Sequence, residues 1–177
     1  MIISIIIIII LLALDRVSKI LLAPYLAGKG MVTLIPGVLG LELCENTGAA
    51  WSILSNATWL LSIFSTAATV FLIYLLLVRK PKSVILKAAM ILIIAGGIGN
   101  LYDRIVYGAV IDFFKFLFIN FPVFNVADCC ITAGAALAII YMIVSKSDEP
   151  IFEVASKKHG QKAKPDENAA DETEKNE

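Results

Sequence analysis

The stretch that decides the fold reads GGIGNLYDRIVYGAVIDFFKFLFINFPVFNVAD and covers residues 96–128. It places polar and ionisable residues among segments that are apolar enough to enter a membrane. An ionisable side chain in a membrane costs on the order of 3 kcal/mol even on lenient insertion scales, so it indicates a function and needs a partner. These residues are Asn100, Asp103, Arg104, Asp112, Asn125 and Asp128. We expect Asp112 and Asp128 to be partners.

The composition indicates one integral membrane domain. Of the 177 residues, 59% are hydrophobic and 17% are charged, whereas apolar residues make up roughly half of an ordinary soluble domain. The formal net charge of zero hides an asymmetry, because residues 1–145 carry nine Lys and Arg against six Asp and Glu, and residues 146–177 carry six against nine. The sequence lacks the cluster of basic residues that a nucleic-acid-binding face requires. We expect residues 146–177 to form a polar, disordered tail.

The histidine and cysteine content argues against a zinc site and against a serine or cysteine protease. His159 in the polar tail is the only histidine, and the three cysteines form no C-x-x-C pair. A zinc site needs three or four ligands at workable spacing, and a serine or cysteine protease of the usual kind needs a histidine beside its nucleophile. The chemistry we expect requires no metal and no cofactor.

Hydropathy predicts four membrane spans. A first apolar run covers residues 1–22; a signal peptide is the alternative, but no Lys or Arg precedes Arg16 and no small-x-small cleavage site follows the run. The other predicted spans are residues 59–78, 84–101 and 125–144, the last with Asn125 as its N-cap. Between the second and third spans lies the basic loop Arg79-Lys80-Pro81-Lys82, which the positive-inside rule assigns to the cytoplasm.

Both termini are then cytoplasmic, and every unusual polar group falls at the outer face. Residues 24–57 are rich in Gly and Pro and predict a small extracytoplasmic β element with strands at 31–35 and 38–43. Residues 103–122 are amphipathic and aromatic, which predicts an interfacial segment. The predicted fold class is an all-α membrane protein of four helices with these two additions.

Two carboxylates close together can perform hydrolysis. They cannot both ionise cheaply, so one holds a proton while the other acts as a base and activates water against a peptide carbonyl. No basic residue stands nearer to Asp112 than Lys115, so we expect its surroundings to raise its pKa. Asp103 is followed by Arg104, and we interpret it as a structural acid kept ionised by a cation.

Structural roles for the same residues remain open. Asp128 could be an acid in the first turn of a helix capped by Asn125, and Asp112 could be hydrogen-bonded to loop amides. Asp15 and Lys19 stand four residues apart on one helical face, where they form a structural ion pair.

Five ordered blocks resemble the lipoprotein signal peptidase (type II signal peptidase) family, bacterial four-span aspartyl proteases. The resemblance runs from about residue 10 to residue 145 and leaves the tail uncovered. The blocks are DRVSK at residues 15–19, ENTGAAW at 45–51, GGIGNLYDR at 96–104, VIDF at 110–113 and FNVAD at 124–128.

The resemblance implies an aspartyl endopeptidase of the bacterial cytoplasmic (inner) membrane. It would cleave diacylglyceryl-modified prolipoproteins just before the lipidated cysteine, and it would act as a monomer among membrane lipids. Residues 1–145 would be the four-span peptidase domain. The implied roles are catalysis for Asp112 and Asp128, substrate binding for Asn46, Gly48, Asn100, Arg104 and Asn125, and support for Asp15, Lys19 and Asp103.

The sequence departs from the family pattern at two points, and two other classes of membrane protein are alternatives. Trp51 stands where the family more usually has phenylalanine, and the loop between the two catalytic aspartates is compact, which leaves substrate preference open. A small proton-coupled transporter would place polar groups near the bilayer midplane, often within internal repeats, and no repeat is visible. A non-catalytic membrane scaffold would tolerate Asn at positions 112 and 128.

Overall fold

The fold was obtained as a computed structural model that describes residues 1–48, 58–145 and 151–152. Long helices pack side by side, and a small sheet lies at one end of them. The elements in chain order are α1 (Ile2–Leu26), β1 (Val32–Ile35), β2 (Leu39–Asn46), α2 (Thr58–Tyr74) with a π-helical turn (Leu75–Arg79), α3 (Val84–Tyr107), β3 (Val110–Phe116) and α4 (Val126–Val144).

The helices give the chain the character of a membrane protein. Among the described residues, three helices are long and apolar enough to cross a membrane, namely Trp59–Arg79, Val84–Tyr107 and Val126–Val144. At 25 residues α1 is also long enough, but its second half carries three charged side chains. The predicted spans at 59–78, 84–101 and 125–144 therefore coincide with helices, although their boundaries differ.

The end predicted for the third span was placed too early in the sequence. We expected it to stop at Leu101, whereas α3 continues to Tyr107 and ends at Gly108, which adopts a left-handed conformation with φ 75°. A glycine in this conformation after a basic last turn is a common helix ending, so Gly108 was the signal that could have placed the boundary. Asn100, Asp103 and Arg104 consequently lie within the last turns of α3.

Small residues let α3 and α4 approach closely. A Cβ atom on Gly96 would lie 2.3 Å from the carbonyl oxygen of Ala127, and one on Gly134 would lie 2.8 Å from that of Ala89. Real Cβ contacts are not this short, so side chains at these positions would push the helices apart. The close approach brings the first turn of α4 beside the part of α3 that carries Asn100.

The sheet has the antiparallel order β1-β2-β3. The predicted hairpin is confirmed by β1 and β2. The third strand corrects the prediction for residues 103–122, because Val110–Phe116 pairs with β2 and is not simply an interfacial segment. Its run of β-branched and aromatic residues favours a strand, but adjacent phenylalanines hide the alternation that identifies one.

One buried side chain anchors β3 to the helices. Phe113 is fully buried and packs in a cluster with Leu26 at the end of α1 and Leu41 of β2, against which Val126 also packs. Burial of an aromatic side chain of this size stabilises the fold by roughly 2 kcal/mol or more. Because neighbouring residues of a strand point to opposite faces, anchoring Phe113 fixes the direction of the Asp112 side chain.

A short segment beyond α4 contacts the basic loop. The N–H of Lys82 donates a 3.1 Å hydrogen bond to the carbonyl of Ile151, and Pro81 pairs with Phe152 in an isolated β-bridge. The other residues of the predicted tail after Ser145 lie outside the described residues, as does Trp51.

Candidate active site

Asp112 occupies the middle of β3, opposite Cys44 of β2. Its carboxylate accepts hydrogen bonds from the side-chain amides of Asn46, at 3.1 Å, and Asn125, at 2.6 Å. The residue is only 1% exposed. Burial, followed by the negative charge of Asp128, raises the pKa of Asp112 to about 7, against the lowering effect of the two hydrogen bonds. The group can therefore hold or release a proton near neutral pH.

Asp128 lies in the first turn of α4. Its carboxylate accepts a 3.1 Å hydrogen bond from the backbone N–H of Asn125 and a 2.7 Å hydrogen bond from the side-chain amide of Asn100. In return, the N–H of Asp128 donates to the side-chain oxygen of Asn125 at 2.9 Å. This reciprocal capping box confirms Asn125 as the N-cap of α4 and holds Asp128 in a defined position.

Asn100 and Asn125 join the two carboxylates into one network. The side-chain amide of Asn125 donates to the side-chain oxygen of Asn100 at 3.0 Å, as well as to Asp112. Both asparagines are almost completely buried, and a buried polar network is strengthened by its low-dielectric surroundings when its members are paired. Residues from α3, β3 and α4 are thereby locked together around two acids.

Asn46 reaches this network from the end of β2. The N–H of Gly48 donates a 3.0 Å hydrogen bond to the side-chain oxygen of Asn46, whose amide group donates to Asp112. The hydrogen bond from Gly48 thus holds the side-chain oxygen of Asn46, and the amide group of Asn46 points to the carboxylate of Asp112. Among the described residues, Gly48 contacts this network through its hydrogen bond to Asn46.

A buried ion cluster lies beneath the network. The ammonium group of Lys19 lies 3.0 Å from Asp15 and 2.7 Å from Asp103, and it donates to the side-chain oxygen of Asn100 at 3.3 Å. Lys19, Asp15 and Asp103 are each no more than 2% exposed. Asp15 also accepts a 3.1 Å hydrogen bond from the N–H of Ala127. The cluster connects α1 to α3 and to the first turn of α4.

Arg16 belongs to the same cluster, and the sequence analysis gave it no role. Its guanidinium pairs with Asp103 and lies 4.6 Å from the centre of the Tyr102 ring. We expected a cation to keep Asp103 ionised, and its ion-pair partners in the described structure are Arg16 and Lys19 rather than the adjacent Arg104. Three charged residues within five positions of a hydrophobic helix were the available signal.

Arg104 stands one helical turn beyond Asn100. It lies close enough to Asp128, Asp112 and Asp103 to interact with their charges. Its Nε atom is buried and has no hydrogen-bond partner among the residues that the structure describes. A positive charge with an unused donor thus stands beside the two acids.

The predicted site residues consequently form two connected layers. Five polar side chains make the acid network, Gly48 orients one of them, and Arg104 stands beside it. The ion cluster supports it from below. In the described part of the chain, no group of three or more His, Cys, Asp or Glu side chains is arranged to hold a metal ion.

The fold and the site define a mostly helical membrane protein with a small three-stranded sheet and two buried, linked carboxylates. A family model described as signal peptidase (SPase) II matches residues 7–144. The chain belongs to this family, which confirms the resemblance carried by the five sequence blocks and makes it a peptidase family member.

Curated relatives and solved structures agree with this assignment. The chain is 42% identical to the lipoprotein signal peptidase of Pseudoalteromonas translucida over 77% of this chain and 86% of that protein. It is 39% identical to that of Clostridioides difficile, over 81% and 96% respectively. A bacterial membrane enzyme solved by the in meso method at 2.3 Å superposes with a TM-score of 0.76 at 31% identity, covering 85% of this chain and 93% of that one.

Proposed function

We propose that the protein is an aspartyl endopeptidase that removes the signal peptide from diacylglyceryl-modified prolipoproteins, cutting just before the lipidated cysteine. The observation that carries this proposal is the pairing of Asp112 and Asp128 through Asn125 and Asn100. Two acids whose charges interact and whose neighbours hold them in place form the arrangement that shares one proton at neutral pH. The relatives described above are named lipoprotein signal peptidase, which supports the substrate class.

The two acids take complementary roles. Asp112, with its pKa of about 7, carries the proton and donates a hydrogen bond to the carbonyl oxygen of the scissile bond. Asp128 acts as the base in its ionised form, which the hydrogen bonds from the backbone N–H of Asn125 and the side-chain amide of Asn100 stabilise, and it takes a proton from the attacking water. The new C–O bond gives a tetrahedral intermediate, and the C–N bond then breaks as Asp128 returns to the nitrogen the proton that it took from water. General acid and base steps of this kind contribute about 100-fold to 10,000-fold in rate.

The neighbouring polar groups bind and orient the substrate. Arg104, with its unused Nε donor, can bind ester or peptide carbonyls of the substrate, and Asn46 and Asn100 restrain the acids from either side. Positioning of this kind is itself worth several kcal/mol of the barrier. The ion cluster of Asp15, Lys19 and Asp103 supports the site without contacting substrate.

Four membrane spans fit this function, with α1 as the additional one. The charges in α1 do not oppose its insertion, because Asp15 and Lys19 are buried against α3 and α4 and are paired there. The surface that α1 leaves exposed is apolar and consists mostly of Ile and Leu. Residues 1–145 then form the peptidase domain, and residues 146–177 form a polar cytoplasmic tail.

The orientation follows from the basic loop between α2 and α3. Lys87 and Arg104 stand 17 positions apart on α3, which corresponds to about 25 Å along a helix. With the loop in the cytoplasm, the acids lie at the outer boundary of the cytoplasmic membrane. A diacylglyceryl group anchored in the outer leaflet would bring its neighbouring peptide bond to that depth. We further propose that the enzyme acts as a monomer.

The proposal is tested by incubating the purified protein with a diacylglyceryl-modified prolipoprotein and weighing the released signal peptide. We expect cleavage before the lipidated cysteine and at least about 100-fold less cleavage of the unlipidated precursor, because its positioning is lost. Equal cleavage of both substrates would indicate a general signal-peptide protease. Proton-coupled transport without cleavage would favour the transporter class.

A further inference from the structure

A cavity of about 220 Å³ lies at the end of the helices opposite the two acids. It is lined by Met1 and Ser4 of the first turns of α1, Leu76 of the π-helical turn, Lys80 and Lys87. None of these residues takes part in the peptidase site proposed above. Three separate elements and the loop between two of them therefore meet around this polar opening.

The backbone beside this cavity departs from regular helix. α2 ends in a π-helical turn over Leu75–Arg79, closed by a 3.0 Å hydrogen bond from the N–H of Lys80 to the carbonyl of Leu75. Lys80 then adopts a left-handed conformation with φ 48°. π-Helical turns occur frequently at functional sites, and a non-glycine residue with positive φ persists only where its surroundings hold it. This irregular backbone places Lys80 at the wall of the cavity.

In the described part of the chain, the polar groups of the cavity have no partner of opposite charge. Within the described ranges, neither Lys80 nor Lys87 has a carboxylate within 4.0 Å. Ser4 is 7% exposed, and no hydrogen bond to its hydroxyl is found among the described residues. Two ammonium groups and a hydroxyl donor without partners are complementary to an anion with several oxygen acceptors.

The remainder of the wall is apolar and continues onto the membrane-facing surface. Met1 and Leu76 line the cavity, and next to it Ile2, Val78 and Val84 are between 62% and 78% exposed. A free inorganic anion would gain nothing from this surface. An amphiphile with a phosphate head and hydrocarbon chains would bury its chains there at about 25 cal/mol per Å².

We propose that the cavity binds the phosphate headgroup of an anionic phospholipid in the leaflet at the basic end of the helices. Lys80 and Lys87 pair with the phosphate, Ser4 donates a hydrogen bond to it, and the acyl chains lie along the exposed apolar residues of α1 and α3. Basic pockets between transmembrane helices are known to hold such headgroups. The bound lipid would fill the opening between α1 and the α2–α3 loop.

The test measures lipid retention by native mass spectrometry on the full chain in detergent. Phosphatidylglycerol is compared with zwitterionic phosphatidylcholine of the same acyl chains. We expect the double variant Lys80→Gln/Lys87→Gln to bind phosphatidylglycerol about 25-fold more weakly, since each basic residue contributes about fivefold near an anionic surface. The matched control is Arg79→Gln/Lys82→Gln, which removes the same charge from the same end of the helices but lies outside the cavity wall. It should retain wild-type binding within about threefold.

Four outcomes would overturn the proposal. Equal retention of the two lipids would show that the charge of the headgroup is not recognised, and an equal loss in the control variant would show that only general surface charge is involved. Displacement of phosphatidylglycerol by millimolar inorganic phosphate would identify a free-anion site. Residues 153–177 are rich in Asp and Glu, and a tenfold gain in lipid binding on truncation after Phe152 would show that the tail occupies the cavity.

Discussion

The side-chain amide of Asn125 donates a 2.6 Å hydrogen bond to the carboxylate of Asp112, while its backbone N–H donates to Asp128 at 3.1 Å. One residue at the start of α4 thus touches both acids. It can do so because an N-cap residue is extended rather than helical, so its side chain and its N–H point to different neighbours. The separation and the relative direction of the two carboxylates depend on this cap.

Replacing either acid with its amide should abolish cleavage. Asp112→Asn and Asp128→Asn should each reduce kcat by about 100-fold to 10,000-fold, because an amide can neither accept the proton from water nor share one with its partner. The measurement is release of signal peptide from a lipidated substrate. Glu45→Gln is the matched control, since Glu45 is exposed and pairs with Ile111, next to Asp112. Full activity in either Asp variant would contradict the dyad.

Removing the Arg104 side chain should cost turnover although both acids remain. We expect Arg104→Ala to lower kcat/KM about 100-fold, the scale of a loss of orientation, and Arg104→Lys to recover part of it by restoring the charge. Thermal unfolding should stay close to wild type, because Arg104 forms no ion pair within 4.0 Å among the described residues. A loss of activity matched by an equal loss of folded protein would instead make Arg104 structural.

Lys19 should be essential for stability. Lys19→Met leaves Asp15 and Asp103 buried without their shared cation, and breaking a buried ion pair costs about 3–5 kcal/mol. Lys29→Met is the control on an exposed lysine and should change the stability by less than about 0.5 kcal/mol. Adding Asp15→Asn to Lys19→Met should recover part of the loss, measured as Tm in detergent. No recovery would show that the charges are not what destabilises the variant.

The raised pKa of Asp112 predicts a pH-dependent stability. In the folded chain this pKa is about 7, against an ordinary value of 3.8, so between about pH 4 and pH 7 the folded state binds more protons than the unfolded state. Its stability therefore falls as the pH rises through this window, by up to about 4 kcal/mol. The Asp112→Asn variant has no carboxyl group at this position and does not lose stability in this way. The difference in Tm between the variant and wild type (variant minus wild type) should therefore be larger at pH 8 than at pH 5. Thermal unfolding at both pH values checks this, and an equal difference at both would contradict it.

The orientation of the chain can be read by cysteine labelling from outside the cell. In a background without Cys44, Cys129 and Cys130, a probe at Gly30 should be labelled, and probes at Lys80 and Lys164 should not. Gly30 lies in the connection from α1 to the sheet, and Lys80 lies in the basic loop at the opposite end. External labelling at Lys80 would invert the proposed topology.

Local patterns in the sequence were sufficient for most elements. The long apolar runs correspond to helices, the Gly- and Pro-rich segment forms the β1–β2 hairpin, and the ion pair of Asp15 and Lys19 and the cap by Asn125 are both observed. Each of these depends on residues no more than a few positions apart. Such short-range geometry is set by helix and turn periodicity, so it can be predicted without knowing the fold.

The sequence predicted which residues form the candidate site, but not how their side chains are arranged in space. Nothing local indicates that Asp112 pairs across a sheet with Cys44, or that Asn46 donates to it from 66 positions away. The third strand was missed for this reason, since its partner β2 lies far back in the chain and strand pairing is governed by context.

The sequence by itself determined that this chain is an apolar membrane protein, because composition and hydropathy are sums over neighbouring residues, and it predicted Asp112 and Asp128 as partner acids near one boundary. Only the tertiary structure decided that Arg16 and Lys19 pair with Asp103 from 87 and 84 positions away, and that the raised pKa expected for Asp112 results from burial first and from the charge of Asp128 second. Desolvation and charge interaction act over a few ångströms in space, whatever the separation along the chain. They exist only once α1, α3, α4 and the sheet have packed.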